Sequence, residues 1–346
     1  MIRYAHRMHL GIEAMNFKGQ HILSVSQFNR EAVEHLMSIA EKMQPYASRE
    51  KGCTVLEGAI LGNMFFEAST RTRVSFGCAF NRLGGFVRET VGKQSSALSK
   101  GESLKDTAKV MSGYSDIIVM RHPSEGSVAE FAKASRVPVL NAGDGSNEHP
   151  SQALLDLYTM TRELSGNNNS VDGMKISMVG DLKYGRTVHS LCKLLCLYQD
   201  IEIRLVSPKA LQMPVEVVEA LITAGHHVIE TDDLNVGLSD VDVVYQTRIQ
   251  EERFSSKEEA NKFRGAFRIN QYAYSQFCQP TTVLMHPLPR DSRADANELD
   301  TDLDDNPNLA IFRQTDNGVL VRMALFALVL GVEDKIPDYE TTFAWQ

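Results

Sequence analysis

The sequence predicts an α/β fold of two domains, each a mainly parallel sheet flanked by helices, and three observations carry that expectation. Short runs rich in β-branched residues alternate with longer stretches of helical period, the pattern of parallel strands joined by crossover helices. The chain has 346 residues, past the length at which one core keeps growing, so two domains with a cleft between them are expected. Between residues 165 and 173 the run Ser-Gly-Asn-Asn-Asn-Ser-Val-Asp-Gly cannot build a core and favours turns, which separates the two units.

In chain order, short apolar runs place strands at 59–65, 117–120, 138–141, 175–179, 202–206, 227–230, 241–245 and 282–285. Amphipathic periods place helices at 30–43, 73–83, 104–112, 127–134, 151–164, 186–197 and 215–224. The acidic segment 291–308 reads as a mobile loop, and the apolar run 319–330 as a buried closing helix. The domains are drawn at 1–151, closed by a C-terminal helix over 317–346, and at 152–316.

Composition excludes several classes. With 43% hydrophobic and 23% charged residues, and no apolar run of about 18, the chain does not read as a membrane protein. A net charge of −8 argues against nucleic-acid binding, which needs a basic face, so any anion site must be local. Residues 1–15 lack the apolar stretch of a secretory signal and read as a short extension, with Met8 and Met15 as alternative starts. Five cysteines, Cys53, Cys78, Cys192, Cys196 and Cys278, sit mostly in apolar contexts, as buried thiols of a reducing cytosol do. Cys192 and Cys196 lie one helical turn apart and could touch a metal, but no second ligand pair accompanies them, so neither metal nor cofactor is expected.

The sharpest chemical feature is Phe65-Phe-Glu-Ala-Ser-Thr-Arg-Thr-Arg-Val-Ser-Phe76, an apolar strand running into a hydroxyl- and arginine-rich turn before a helical period. Unpaired N–H groups and partial positive charge at a helix start would meet a phosphate there, beside Ser69, Thr70, Arg71 and Thr72. A lone Ser-Thr pair would be an ordinary helix cap; four such residues directly after a strand make a phosphate cradle. Arg121, in Val119-Met-Arg-His-Pro123, stands at the C-terminal end of a strand, where open sheets bind ligands, and is a second anion ligand or a surface ion-pair arginine.

Farther along, a glycine-rich loop delivers His149 and Gln152 to another helix start. Histidine can donate to a carbonyl oxygen, and glutamine can bind an amide or carbamoyl group with both halves of its side chain. The run Gly180-Asp-Leu-Lys-Tyr-Gly185-Arg-Thr187 differs from a nucleotide-binding P-loop in having Arg186 where lysine belongs. That rival reading also needs an acidic Mg²⁺ ligand at a strand end, whereas the strand at 241–245 ends in Gln246-Thr-Arg248-Ile-Gln250, suited to gripping a carboxylate with a forked guanidinium. In His286-Pro-Leu-Pro-Arg290 two prolines fix the backbone around Leu288 and Pro289, whose carbonyls could orient an NH₂ group, or the segment is a plain strand-ending turn.

Together, Ser-Thr-Arg-Thr, Arg-His-Pro, His-Pro-Ser-Gln, Gly-Asp-Leu-Lys-Tyr-Gly-Arg-Thr and His-Pro-Leu-Pro resemble, in order and from about residue 19 to 332, the catalytic chains of the aspartate carbamoyltransferase family. The ornithine relatives share the phosphate turn but typically carry His-Cys-Leu-Pro; Pro287 and Arg186 favour aspartate. The resemblance implies transfer of a carbamoyl group from carbamoyl phosphate to L-aspartate in pyrimidine synthesis, with the domain at 1–151 holding carbamoyl phosphate and that at 152–316 holding aspartate.

By the same resemblance, Ser69, Thr70, Arg71, Thr72 and Arg121 hold the phosphate, and Thr72, Arg121 and His149 polarise the carbonyl oxygen. Gln152 with the Leu288 and Pro289 backbone grips the carbamoyl NH₂, while Arg186, Arg248 and Gln250 bind aspartate. Residues 94–104 resemble the family's mobile loop, whose Ser96 and Lys100 reach into a neighbouring subunit's site, Lys100 as a catalytic and aspartate-binding group. This implies a cytoplasmic homotrimer that uses no metal or cofactor, and leaves room for regulatory chains or pathway enzymes as partners. One departure is Gly77, followed by Cys78, where relatives often carry a glutamate, which implies a looser first helix.

Overall fold

The computed structural model describes residues 15–92, 101–166, 169–293 and 295–345. The first unit opens with α1 (Arg30–Lys42), whose start is capped by the Asn29 side chain accepting from Ala32 N–H, and whose apolar stripe Val33, Leu36, Met37 and Ala40 is buried. There follow α2 (Gln44–Ala47), β1 (Gly52–Cys53), β2 (Ile60–Phe65), α3 (Thr70–Arg82) and β3 (Phe86–Val91). Then come α4 (Leu104–Met111), β4 (Ile117–His122), α5 (Ser127–Ala132), β5 (Val139–Asp144) and α6 (Pro150–Ser165). The sheet order is β3-β2-β4-β5, with every pair parallel.

The second unit contains β6 (Lys175–Val179), α7 (Arg186–Leu195), β7 (Glu202–Val206), α8 (Val215–Thr223), β8 (His227–Thr231), α9 (Leu234–Leu238) and β9 (Val243–Gln246). It is completed by α10 (Lys257–Asn261), α11 (Gln271–Phe277) and β10 (Val283–Met285), giving a parallel sheet in the order β10-β9-β6-β7-β8. The chain then returns: α12 (Ile311–Leu330) packs on α1, α3 and α6, and β11 (Glu340–Thr341) pairs antiparallel with β1.

This topology positions the site. In the first sheet the chain steps from β2 outward to β3 and then back to β4 on the other side; in the second it runs β6, β7, β8 and then back to β9. Each reversal leaves a crevice at the carboxyl ends of two adjacent strands, the place where open parallel sheets bind ligands. Phe65 pairs with Arg121 at the first reversal and Val179 with Gln246 at the second. A register shift between Met120 and His122 falls at Arg121, as bulges that re-aim a side chain do.

The returning helix closes the first core. Phe326 meets Phe76 and Phe80 edge-on, with ring centroids 5.9 and 4.9 Å apart, and all three are fully buried. Such a side chain contributes about 3–5 kcal/mol, the usual loss on truncating a buried Phe to Ala.

All eight expected strands and seven expected helices are present; the strands at 175–179 and 202–206 match to the residue, and the other elements have shifted ends. Several expectations need correction. The closing helix starts at Ile311 and ends at Leu330 rather than running over 317–346, because Gly331 takes the left-handed conformation (φ 65°, ψ 45°) that terminates helices. Segment 291–308 is anchored: Leu299 and Leu303 are buried, and Asp300 pairs with Arg268 at 2.6 Å. Strand β3 is added, its side chains mostly exposed at a sheet edge, so it offered no apolar run. Gly77 does not interrupt α3, which continues through it. Helix α6 crosses the expected boundary at 151/152, and the polar stretch after it docks on α1 through Asp172 and Arg30, 2.6 Å apart.

Candidate active site

At the first sheet edge, β2 feeds α3 through Glu67, Ala68 and Ser69. Ser69 is the N-cap residue, yet its side chain makes no capping hydrogen bond, and the first turn of α3 carries no acidic residue. The helix start therefore presents N–H groups and partial positive charge with no resident anion. Arg71 is exposed and Thr72 buried.

Arg121 is buried and ion-paired to Glu67 at 2.7 Å, while its guanidinium also donates to the Ala142 carbonyl at 3.3 Å. From the second unit, Arg186 opens α7, lies 3.5 Å from the same carboxylate and donates to the Gly145 carbonyl. Arg253 is 3.8 Å from Glu67 and donates to Gly145 at 3.1 Å. Gly143 makes this convergence sterically feasible: at φ 117° a Cβ there would lie 3.1 Å from the Arg121 guanidinium and 3.3 Å from that of Arg186. Burial, then Arg186, lowers the Arg121 pKa to about 10, so it stays cationic at neutral pH.

His149 precedes α6 fully buried, with Nδ1 finding no hydrogen-bond partner among the described residues. Burial, reinforced by Arg186, Arg121 and Arg322, holds its pKa well below the ordinary value, so the ring is neutral. A neutral imidazole there can donate one hydrogen bond without adding charge. Gln152, one turn on, donates to Asp156 at 2.8 Å. After β10, the backbone N–H of Leu288 donates to His286 Nδ1 at 2.8 Å, which leaves Nε2–H to donate to Glu298 at 2.8 Å. This pair fixes a turn that contains the cis Leu288–Pro289 bond.

Arg248 and Gln250 follow β9. The backbone N–H of Gln250 donates to the buried Asp181 at 3.0 Å, which also accepts from Tyr184 N–H at 3.0 Å. With Gly180 N–H donating to Val206, Asp181 N–H to Thr247 Oγ1 and Leu182 N–H to Leu211, four of the six amides of the loop at 180–185 are spent inside the protein. A P-loop needs those amides free for phosphate, so the nucleotide reading loses its cradle.

A single cavity of about 520 Å³ is lined by Ser69, Thr70, Arg71, Thr72, Arg121, His149, Gln152, Arg186, Arg248, Gln250, Leu288 and Pro289. These are all the site residues expected from sequence except Ser96 and Lys100, which lie outside the described residues. The cavity adds Glu67, Arg253, Gln314 and Arg322, which sequence reading passed over. Glu67 stood inside the quoted turn and was the one anion beside four cation and hydroxyl ligands; Gln314 and Arg322 lay hidden in an apolar helix. Cys192 and Cys196 are not at the cavity; burial raises both thiols' pKa, and Cys192 contacts Met178 sulfur at 3.5 Å.

Two family models together span most of the chain: the carbamoyl-P binding domain of aspartate/ornithine carbamoyltransferase matches residues 20–162, and the Asp/Orn binding domain residues 172–329. The aspartate carbamoyltransferase catalytic subunits of Saccharophagus degradans and Cellvibrio japonicus are each 65% identical over 331 residues, covering 96% of this chain and 98% of theirs. Among solved structures, aspartate transcarbamoylase from Trypanosoma cruzi in complex with carbamoyl phosphate and aspartate superposes with a TM-score of 0.84 at 39% identity, covering 92% of this chain and 100% of that one.

Proposed function

This chain belongs to the aspartate/ornithine carbamoyltransferase family, and from that premise we propose how its two sheet edges divide one reaction. The chain transfers the carbamoyl group of carbamoyl phosphate to L-aspartate, giving N-carbamoyl-L-aspartate and phosphate, in de novo pyrimidine synthesis. The observation that carries the division of labour is the convergence of six arginines, Arg71, Arg121, Arg186, Arg248, Arg253 and Arg322, on one cavity of a chain with net charge −8. Both substrates are anions, and cations concentrated in a cleft capture and steer anions.

In this reading the uncapped start of α3, with Ser69, Thr70, Arg71 and Thr72, holds the phosphate together with Arg121. Arg186, Arg248 and Gln250 take the aspartate carboxylates, and Lys100 and Ser96 of a neighbouring subunit complete the site. The aspartate amine, neutral when it reacts, attacks the carbamoyl carbon. Thr72, Arg121 and neutral His149 stabilise the oxyanion of the tetrahedral intermediate, Gln152 and the Leu288 and Pro289 backbone hold the NH₂, and the C–O bond breaks as phosphate leaves toward α3 with the proton the amine sheds. Positioning and pre-aimed positive charge supply such catalysis without a covalent intermediate. The carbamoyl phosphate domain is the first unit through α6 with α12 returned to it, and the aspartate domain is the second unit from β6 to β10.

The assembly we infer is a homotrimer in the cytoplasm. Exposed apolar side chains at one edge of the first unit, Val74 on α3 and Phe86 and Val91 on β3, support a subunit contact there. Five free cysteines fit a reducing compartment. Turnover measured with aspartate and with ornithine tests the reaction: aspartate-dependent phosphate release is expected, and release independent of aspartate would overturn it. Light scattering of the purified chain, alone and with regulatory chains or pathway enzymes, tests the assembly, and a monomer would refute the trimer.

A further inference from the structure

Asp156, on the second turn of α6, has no solvent-exposed surface and forms no ion pair among the described residues. Its carboxylate accepts three hydrogen bonds. Oδ1 takes the side-chain amide of Gln152 at 2.8 Å and that of Gln314 at 2.6 Å, and Oδ2 takes the Tyr245 hydroxyl at 2.6 Å.

An ionised carboxylate is acceptor-only, so it dictates which way round both glutamine amides sit. Each must turn its NH₂ toward Asp156 and its oxygen away. For Gln314 the oxygen so directed accepts the backbone N–H of His286 at 3.0 Å, tying α12 to the turn that carries Leu288 and Pro289. For Gln152, which lines the cavity, the oxygen has no protein partner among the described residues. The two groups assigned above to the carbamoyl nitrogen therefore both trace back to this one side chain.

We propose that Asp156 is a positioning residue that makes the site selective for a carbamoyl over an acetyl group, by aiming the Gln152 oxygen into the cleft and holding the 286–289 turn through Gln314. The carbamoyl NH₂ only donates hydrogen bonds, whereas an acetyl methyl donates none. A cleft that presents acceptors at that point matches the first and leaves its own polar atoms unpaired against the second. Were the Gln152 amide reversed, two NH₂ groups would face each other.

Burial raises the Asp156 pKa to about 6 against the opposing pull of Tyr245, Gln314, Gln152 and Arg322, the groups facing it from β9, α12 and α6. At neutral pH it is thus the acceptor-only form the arrangement requires. A position needed only for packing would be served better by an uncharged residue.

The inference rests on the carbamoyl-transfer reading, and the test separates the two. Turnover of carbamoyl phosphate and of acetyl phosphate with aspartate is compared in the parent chain, Asp156→Ala and Asp156→Asn, alongside inhibition by inorganic phosphate. The ratio of kcat/KM for carbamoyl over acetyl phosphate should fall about tenfold or more in Asp156→Ala, the effect of losing one specific hydrogen bond in a dry site, and by less in Asp156→Asn, which still offers one oxygen. Inhibition by inorganic phosphate, which has no NH₂, should stay within about twofold, an outcome that a general loosening of the cleft would not give. If Asp156→Ala does not fold, Asp156→Asn decides. A ratio unchanged in a folded variant, or a parallel loss of phosphate inhibition, overturns the assignment. A parent chain that turns over no carbamoyl phosphate with aspartate overturns instead the reading beneath it.

Discussion

Ser69, Thr70, Arg71 and Thr72 follow an apolar strand directly, and a hydroxyl and arginine cluster in that place has few structural uses. Twelve of the fourteen expected site residues line one cavity, and the other two fall outside the described residues. What sequence could not supply was partnership across the fold. Asp156 reads as an ordinary helical residue in Leu-Leu-Asp-Leu, and only the approach of Gln314 and Tyr245, 158 and 89 positions away, gives it meaning. At this scale Arg71→Ala should lower kcat/KM by roughly a thousandfold or more, the scale of losing a charge-stabilising ligand, while leaving the unfolding midpoint nearly unchanged because the side chain is exposed. Near-normal turnover would refute the phosphate cradle. Asp156 gives a signed pH prediction. Its folded pKa of about 6 lies above the ordinary aspartate value of 3.8, so the folded state binds the proton more tightly and is favoured as pH falls through 6. Relative to Asp156→Asn, which cannot titrate there, the parent should lose about 2 kcal/mol of stability between roughly pH 4.5 and 7.5. Urea midpoints at the two pH values check this, and a flat difference would remove the buried charge from the account.

Among the elements, helices with a single buried stripe and strands buried on both faces were readable because burial imposes its period on the sequence. Edge strand β3 was not: Phe86, Arg88, Glu89 and Val91 are exposed, so solvent rather than a core set its pattern. Segment 291–308 misled for the opposite reason, its acidic residues masking Leu299 and Leu303, which anchor it. The start of α3 makes its own prediction. Ser69→Asp would place a carboxylate at the N-cap, adding up to about 1 kcal/mol of stability while occupying the anion site. The variant should melt higher, yet show KM for carbamoyl phosphate and Ki for inorganic phosphate raised at least about tenfold. Unchanged phosphate inhibition would mean that the helix start is not where phosphate sits.

For the whole molecule, two parallel sheets followed from the alternation of strand and helix, while the reversals that open their crevices are matters of strand order that no local pattern encodes. Sharing of sites between subunits is tested by mixing inactive Lys100→Ala and Arg71→Ala chains: in a mixed trimer one interface can combine two intact contributions, so part of the activity should return, and no recovery would refute sharing. The returning helix α12 also sets the order of events during synthesis. Phe76 and Phe80 meet their partner Phe326 only once about 250 further residues have been made, whereas every strand of the second sheet has been translated by Met285. On the ribosome the second sheet can therefore form while the first still exposes its core, and the N-terminal half, although made first, is the last to close.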